Sequence, residues 1–362
     1  MIIVRFTSGL GNQMFQYSFY RFLKTLYKDT EVKADLTWFY ANNDHHGYEL
    51  QRIFGAAKHS LFDIEEATKG EIFKATGLIP NVCQPKSMIT GGARLFDRES
   101  VLDSFKPENS YKRGKYTDKQ AKAFEKFRRY PNRIIREFTQ KKKEPYIIDQ
   151  LNGQICNEDV SGRSTNNMYN EMYAKVTHLD IGKDWYIIGF WIEEKYLHGR
   201  LDEIRKHFRF PEISDENNNR IADEIMSCNS VSIHVRRGDY LSATYENMFV
   251  SLGRDYYERA VKRICGRVND PRFFIFSDDV DFVRSEFAWL DNKNIVTGNS
   301  GDNSYRDMQL MSLCRHNIIA NSTFSQWGAL LNENEGHITV YPSAYLKDRD
   351  NEEKRFDGWV RI

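Results

Sequence analysis

The sequence predicts an α/β protein of two domains, and three observations carry that prediction. The chain has 362 residues, more than an ordinary domain of roughly 100–200 residues uses. It opens with a strand, a glycine loop and an amphipathic helix, in that order. Its second half alternates β-branched runs with helical stretches, a pattern that implies right-handed crossovers and a parallel sheet.

Composition bounds the rest. Hydrophobic residues make up 40% and charged residues 28% of the chain, enough to bury a core and too few charges for a disordered polymer. Fifty-two Lys and Arg balance 51 Asp and Glu to a net charge of +1. The whole molecule therefore has no field that draws nucleic acid, and no nucleic-acid partner is expected. Cys83, Cys156, Cys228, Cys265 and Cys314 show neither Cys-x-x-Cys spacing nor a paired His, which points to a reducing compartment rather than a disulfide or zinc framework. The first residues lack a signal-peptide pattern, and no stretch approaches the roughly 20 apolar residues that span a bilayer. A cytoplasmic location is the expectation.

In chain order, the run 2–6 reads as a strand and Thr7-Ser8-Gly9-Leu10-Gly11-Asn12 as a loop. Phe15, Phe19, Phe22 and Leu26 then fall at helical spacing. The loop is either a tight turn that needs glycine or a set of amides that approaches a phosphate or sugar hydroxyl. Between 112 and 143, thirteen Lys and Arg stand against Asp118, Glu125 and Glu137, giving this segment +10 and leaving −9 for the remainder. It reads as a solvated helical face packed by its aromatics, or as a surface for peripheral contact with an anionic membrane. Residues 150–183 are polar and read as a loop or domain edge, and 184–192 are densely aromatic. A helical stretch over 201–208 leads to a boundary near Pro211, which divides the chain into 1–210 and 211–362. Strands follow at 230–235, 272–276, 294–297, 317–320 and 337–341. The helices between them lie at 256–265, 282–287, 304–315 and 324–332.

In a doubly wound sheet, ligands bind beyond the carboxyl ends of the strands. Three segments reach that edge: His234-Val235-Arg236-Arg237-Gly238-Asp239, Ser277-Asp278-Asp279 and Asn321-Ser322-Thr323-Phe324. Two arginines offer permanent charge, and Ser322 and Thr323 offer hydroxyls and amides at a helix start. Both suit a diphosphate. Asp278 suits the N–H donors of a purine or a ribose hydroxyl. The same residues also have plain structural readings, with Arg237 and Asp239 as an ion pair holding the turn and Ser322 as an ordinary N-cap. A metal site at Asp278-Asp279 is disfavoured because adjacent side chains diverge on a strand. Gly9-x-Gly11 is followed by Met14 where a dinucleotide fingerprint wants a small residue, and no Gly-x-Ser-x-Gly elbow occurs.

Ser8 to Tyr17, His234 to Tyr240, Phe276 to Asp279 and Asn321 to Ser325 together closely resemble the α-1,2-fucosyltransferases of glycosyltransferase family eleven, and Gly189 to Tyr196 resembles that family's aromatic motif. The resemblance implies a GT-B architecture of two Rossmann-like domains facing a cleft, with the acceptor mainly on the first and GDP-β-L-fucose mainly on the second. It implies inverting transfer of fucose to the 2-hydroxyl of a terminal β-galactoside in surface-glycan assembly, with no divalent metal and no other cofactor. By the same resemblance Arg236 clamps the diphosphate, His234 lies near the nucleoside, Asp278 meets the guanine or ribose, and Ser322, Thr323 and Phe324 surround the phosphates. Asn12, with Gly9 and Gly11, faces fucose and acceptor. Arg237, Asp239 and Asn321 belong to the same nucleotide-binding set, and Arg236 and Asn12 are the catalytic pair. Asp35, His46 and Glu49 are candidates for a base. Gln326 and Ile192 depart from the usual Trp and Gln of the family, which puts the acceptor contacts in question. A nucleotide-sugar or glycan-binding protein without turnover is the alternative.

Overall fold

The computed structural model describes residues 1–40, 46–77, 145–238, 248–347 and 356–362. The basic segment 112–143, Cys83 and Asp239 lie outside the described residues. The chain packs as two units, one of Met1–Gly9, Phe15–Glu49 and Asp63–Ile192, the other of Leu10–Met14, Leu50–Phe62 and Glu193–Ile362.

The first unit opens with β1 (Ile2–Arg5), buried along its length, and α1 (Leu10–Leu26). The stripe that predicts α1 is narrower than what the helix buries: Phe15 and Phe19 are fully covered and Leu26 is 44% exposed, while polar Gln13, Gln16 and Ser18 are also buried. Next come β2 (Val32–Asp35) and α2 (Lys69–Thr76), whose start is fixed by a reciprocal Thr68–Glu71 capping box. Then follow β3 (Tyr146–Asp149), the short β4 (Gln154–Ile155) and β5 (Glu158–Asp159), α3 (Thr165–Val176) and β6 (Trp185–Ile188). Within 150–183, read from sequence as loop or edge, the structure has both an edge hairpin and a helix. Ser164 caps α3, and Met168, Met172 and Val176 bury one face at four-residue spacing. The described strands run β2-β1-β6-β3-β4-β5, parallel from β2 to β3 and antiparallel over the last two pairings.

In the second unit, α4 (Leu201–His207) precedes α5 (Glu216–Met226), which Asp215 caps by accepting from the Asn218 amide at 2.8 Å. The alternation then proceeds as β7 (Asn229–Val235), α6 (Arg254–Cys265), β8 (Pro271–Ser277), α7 (Val280–Glu286) and β9 (Lys293–Ile295). It continues with α8 (Tyr305–Leu313), β10 (His316–Ile318), α9 (Thr323–Leu330), β11 (Thr339–Tyr341) and β12 (Val360–Arg361). The strand order is β12-β11-β10-β7-β8-β9, with every pairing parallel. Counted from β7, this is the 3-2-1-4-5-6 order of a dinucleotide fold, in which the winding reverses between β7 and β10. Val231, Ile233, Ile275, Ile318 and Val340 from four neighbouring strands form its core with Tyr257 and Ile264 of α6. The expected pair of Rossmann-like units is therefore present.

The expected boundary at 210/211 differs from this grouping, which places 193–210 with the second unit. Arg205 donates to the carbonyls of Leu330 and Asn332 at 2.8 and 3.1 Å, and Phe208 sets its ring edge-on to Trp327 at 5.0 Å. Phe54 packs on Phe208 and Phe210, which brings the 50–62 stretch with it. No described helix is long and apolar enough to cross a membrane.

Met172 is fully buried. Met172→Ala is expected to lower unfolding stability by about 2–5 kcal/mol in urea titration, as cavity-forming substitutions do.

Candidate functional site

Because β10, β7 and β8 are neighbours and parallel, the segments after them meet on one edge of the second unit, at the point where the winding reverses. The Asp278 carboxylate organises this edge. Its Oδ2 sits 2.9 Å from Arg236 Nη1 and accepts from the Gly238 amide at 3.1 Å, and its Oδ1 accepts from the Arg237 amide at 3.0 Å. A Cβ on Gly238 would fall 2.7 Å from Oδ2, so any larger residue there would displace the carboxylate. Arg237 turns the other way. Its Nε lies 3.2 Å from Asp279 Oδ2 and its guanidinium 3.5 Å from the centre of the Phe282 ring, while Asp279 Oδ1 caps α7 through the Phe282 amide at 3.1 Å. The sequence pairs Arg237 with Asp239; the described partner is Asp279, which ties Arg237 into the start of a helix.

His234 is buried at the end of β7, and its Nδ1 has no hydrogen-bond partner among the described residues. Burial first, then the charge of Arg236, lowers its pKa to about 4 against the opposing pull of Asp278, so the ring is neutral near pH 7. Phe324 stands 5.8 Å from that ring, centre to centre. Ser322 caps α9 by accepting from the Phe324 amide at 3.3 Å, and Thr323 is the first helical residue. The Asn321 side chain holds two loops, its Nδ2 donating to Val250 O at 2.8 Å and Tyr345 O at 3.1 Å. Gln326, where the family usually has Trp, is also buried, donating to the Tyr345 hydroxyl at 3.1 Å. That departure alters the packing under α9, not a surface open to an acceptor.

Gly11 is pressed against the same helix start. An added Cβ would lie 2.6 Å from both Phe324 N and Thr323 C, and Gly11 O accepts from Trp327 Nε1 at 3.0 Å. Gly9 is the extended N-cap of α1 at φ −78°, and the left-handed residue of the loop is Ser8 at φ 69°. Asn12, in the first turn of α1, is half-buried.

In the first unit, Asp35 accepts from Thr37 N at 2.8 Å, Thr37 Oγ1 at 2.6 Å and the Tyr186 hydroxyl at 2.5 Å, and is 1% exposed. That saturation makes it a structural acid, not a base open to substrate. Glu49 is likewise buried, whereas His46 is exposed with φ 70°. Sequence reasoning missed Asp149, buried at the end of β3 and accepting from Leu151 N, Asn152 N and Asn152 Nδ2. Burial pushes its pKa up to about 7 against those donors and Arg5. Among the described residues, no cluster of three or more His, Cys, Asp or Glu has metal-binding geometry.

The sequence profile of Glycosyl transferase family 11 matches residues 163–362, more than half of the chain. The chain belongs to that family. This family 11 member is 37% identical to the Escherichia coli O-antigen biosynthesis glycosyltransferase WbnK over 38% of its own length and 45% of the relative's. It is 33% identical to an E. coli α-1,2-colitosyltransferase over 53% and 67%, and 27% identical to the mouse galactoside 2-α-L-fucosyltransferase Sec1 over 54% and 61%. The chain thus spans less than half of the first relative and about two thirds of the others. Among solved structures, the NodZ α-1,6-fucosyltransferase soaked with GDP-fucose aligns with 91% of the family 11 chain and 92% of its own, at 13% identity and a TM-score of 0.43.

Two outcomes follow. Gly11→Ala forces the start of α9 to move, and the purified protein is expected to melt at a lower temperature than the wild type. For Asp149, a raised carboxyl pKa means that folding takes up a proton between the ordinary value, about 4, and about 7, so stability falls as pH rises through that window. Asp149→Asn should flatten this dependence in urea unfolding compared at pH 5 and pH 7.5.

Proposed function

We propose that this protein is an α-1,2-fucosyltransferase, moving L-fucose from GDP-β-L-fucose to the 2-hydroxyl of a terminal β-galactoside with inversion and without a divalent metal, in the assembly of surface glycans. The observation that carries the reading is the meeting of Arg236, the unpartnered Nδ1 of buried His234 and the N-terminus of α9 where the winding of the second sheet reverses. A diphosphate suits that set: a permanent guanidinium charge beside helix-terminal amides. Departure of GDP places negative charge on the β-phosphate as the sugar becomes oxocarbenium-like, and donors held in place before the reaction stabilise that charge without reorganising. Neutral His234 acts as a hydrogen-bonding group that adds no charge. Asp278 acts by fixing the 236–238 turn, so its contribution to GDP binding runs through Arg236 and the two amides. Ser322, Thr323 and Phe324 line the phosphates, and Gly9 and Asn12 of the N-terminal loop serve the sugar side.

A colitose-charged donor is the second reading, supported by the match over two thirds of the α-1,2-colitosyltransferase. The deciding assay incubates the protein, with EDTA and then with Mg²⁺, with GDP-fucose or GDP-colitose and a panel of β-galactosides, reading GDP release and product linkage. Fucosylation at the 2-hydroxyl in EDTA is expected. Preference for GDP-colitose selects the second reading, and GDP binding with no turnover selects a binding protein. Arg236→Ala is expected to lower kcat by roughly 10²–10³-fold, the usual consequence of losing one such donor. Its partly exposed ion pair contributes only about 0–1 kcal/mol to the fold, so the thermal melt should barely move. Asp278→Ala should weaken GDP binding in calorimetry more than it lowers kcat at saturating donor.

A further inference from the structure

The first unit has its own edge beyond the ends of its parallel strands. Its parallel strands run β2-β1-β6-β3, so β1 connects through α1 to β2 on one side and lies against β6 on the other. The segments that emerge there are Thr7 to Gly9 and Gly189 to Ile192, and two glutamines join them. Gln16, fully buried on α1, accepts from Thr7 N at 3.0 Å through Oε1 and donates to Gly189 O at 3.0 Å through Nε2. Gln150, buried just after β3, accepts with one oxygen from both Phe190 N at 3.0 Å and Trp191 N at 2.9 Å. Gly189 leaves no room for another residue: a Cβ would sit 2.7 Å from Gln150 Cβ, Gln150 Oε1 and Trp191 Cε2.

This clamp sorts the two aromatics of the loop. Trp191 is held at φ 56° with its ring stacked on Phe19, 4.1 Å between centres and 8° from parallel, and is 1% exposed. Its neighbour Phe190 is half-buried and enters no aromatic pair among the described residues. A left-handed backbone at a bulky residue costs free energy, and here the two Gln150 bonds and the Phe19 stack offset it. The result is one buried ring that anchors the loop and one half-buried ring at the edge where α/β units take ligands.

The geometry points to Phe190 as a residue that stacks on the acceptor sugar, with Gln150 and Gln16 as the positioning residues that aim it. Flat aromatic faces suit the apolar C–H face of a galactoside. This inference rests on the fucosyltransferase reading for its substrate.

The test separates the two. Phe190→Ala is expected to raise the KM for the galactoside at least about tenfold, with the affinity for GDP unchanged, and Phe190→Tyr to restore it. Gln150→Leu removes the shared acceptor and should expose the Phe190 and Trp191 amides to fast hydrogen exchange while raising the same KM. Gln150→Glu keeps an oxygen in place and should retain both slow exchange and low KM. An unchanged KM in Phe190→Ala, or fast exchange in Gln150→Leu without any loss of acceptor affinity, overturns the proposal. If the wild type does not transfer fucose, the functional reading fails, and saturation-transfer NMR of a β-galactoside against wild type and Phe190→Ala still decides whether Phe190 holds the sugar; no binding to the wild type overturns both.

Discussion

One carboxylate, that of Asp278, holds the candidate-site edge of the second sheet in shape. It stands at the end of β8 and collects a guanidinium and two main-chain amides from the turn after β7, so a charged side chain and the backbone that carries it are fixed by the same two oxygens. Turns beyond the ends of parallel strands have no ladder to satisfy their amides, and a neighbouring acid is an economical substitute. Arg236 therefore stands in a defined place before any ligand arrives. Asp279 does the same for Arg237 and also caps α7, so two adjacent acids divide the work between a site and a helix.

The first unit solves part of the same problem with neutral groups. Gln16 and Gln150 are amides with both donors and acceptors, and they satisfy the backbone of two loops, while Asp35 and Asp149 accept the amides that follow β2 and β3.

The alternation of strands and helices in the second half was legible because each strand is a short run of β-branched or aromatic residues bounded by turn residues, and because parallel strands must all end on one edge. That alone placed His234, Arg236, Asp278 and Ser322 together. What escaped the sequence is what depends on pairing at long range. Nothing near Arg237 announces that an acid 42 positions away pairs with it, or that Asn321 turns to two loops. The helix over 165–176 had a readable signal in Met168, Met172 and Val176, masked by the polarity of its other face. The loop's glycines drew attention to Gly9 and Gly11 alike, whereas the left-handed position is Ser8 and Gly11 meets backbone where a Cβ would go. Hydrophobic pattern reports burial, and it does not report which polar group a buried amide will find.

The burial of His234 has a consequence for the conditions under which such a site operates. With its titration displaced to about 4, the histidine stays uncharged through mild acidification, and guanidinium charge does not titrate in any physiological range. The cationic character of this edge is thus insulated from swings in proton concentration. Affinity for an anionic donor would then track the ionisation of the donor itself and not that of these two side chains.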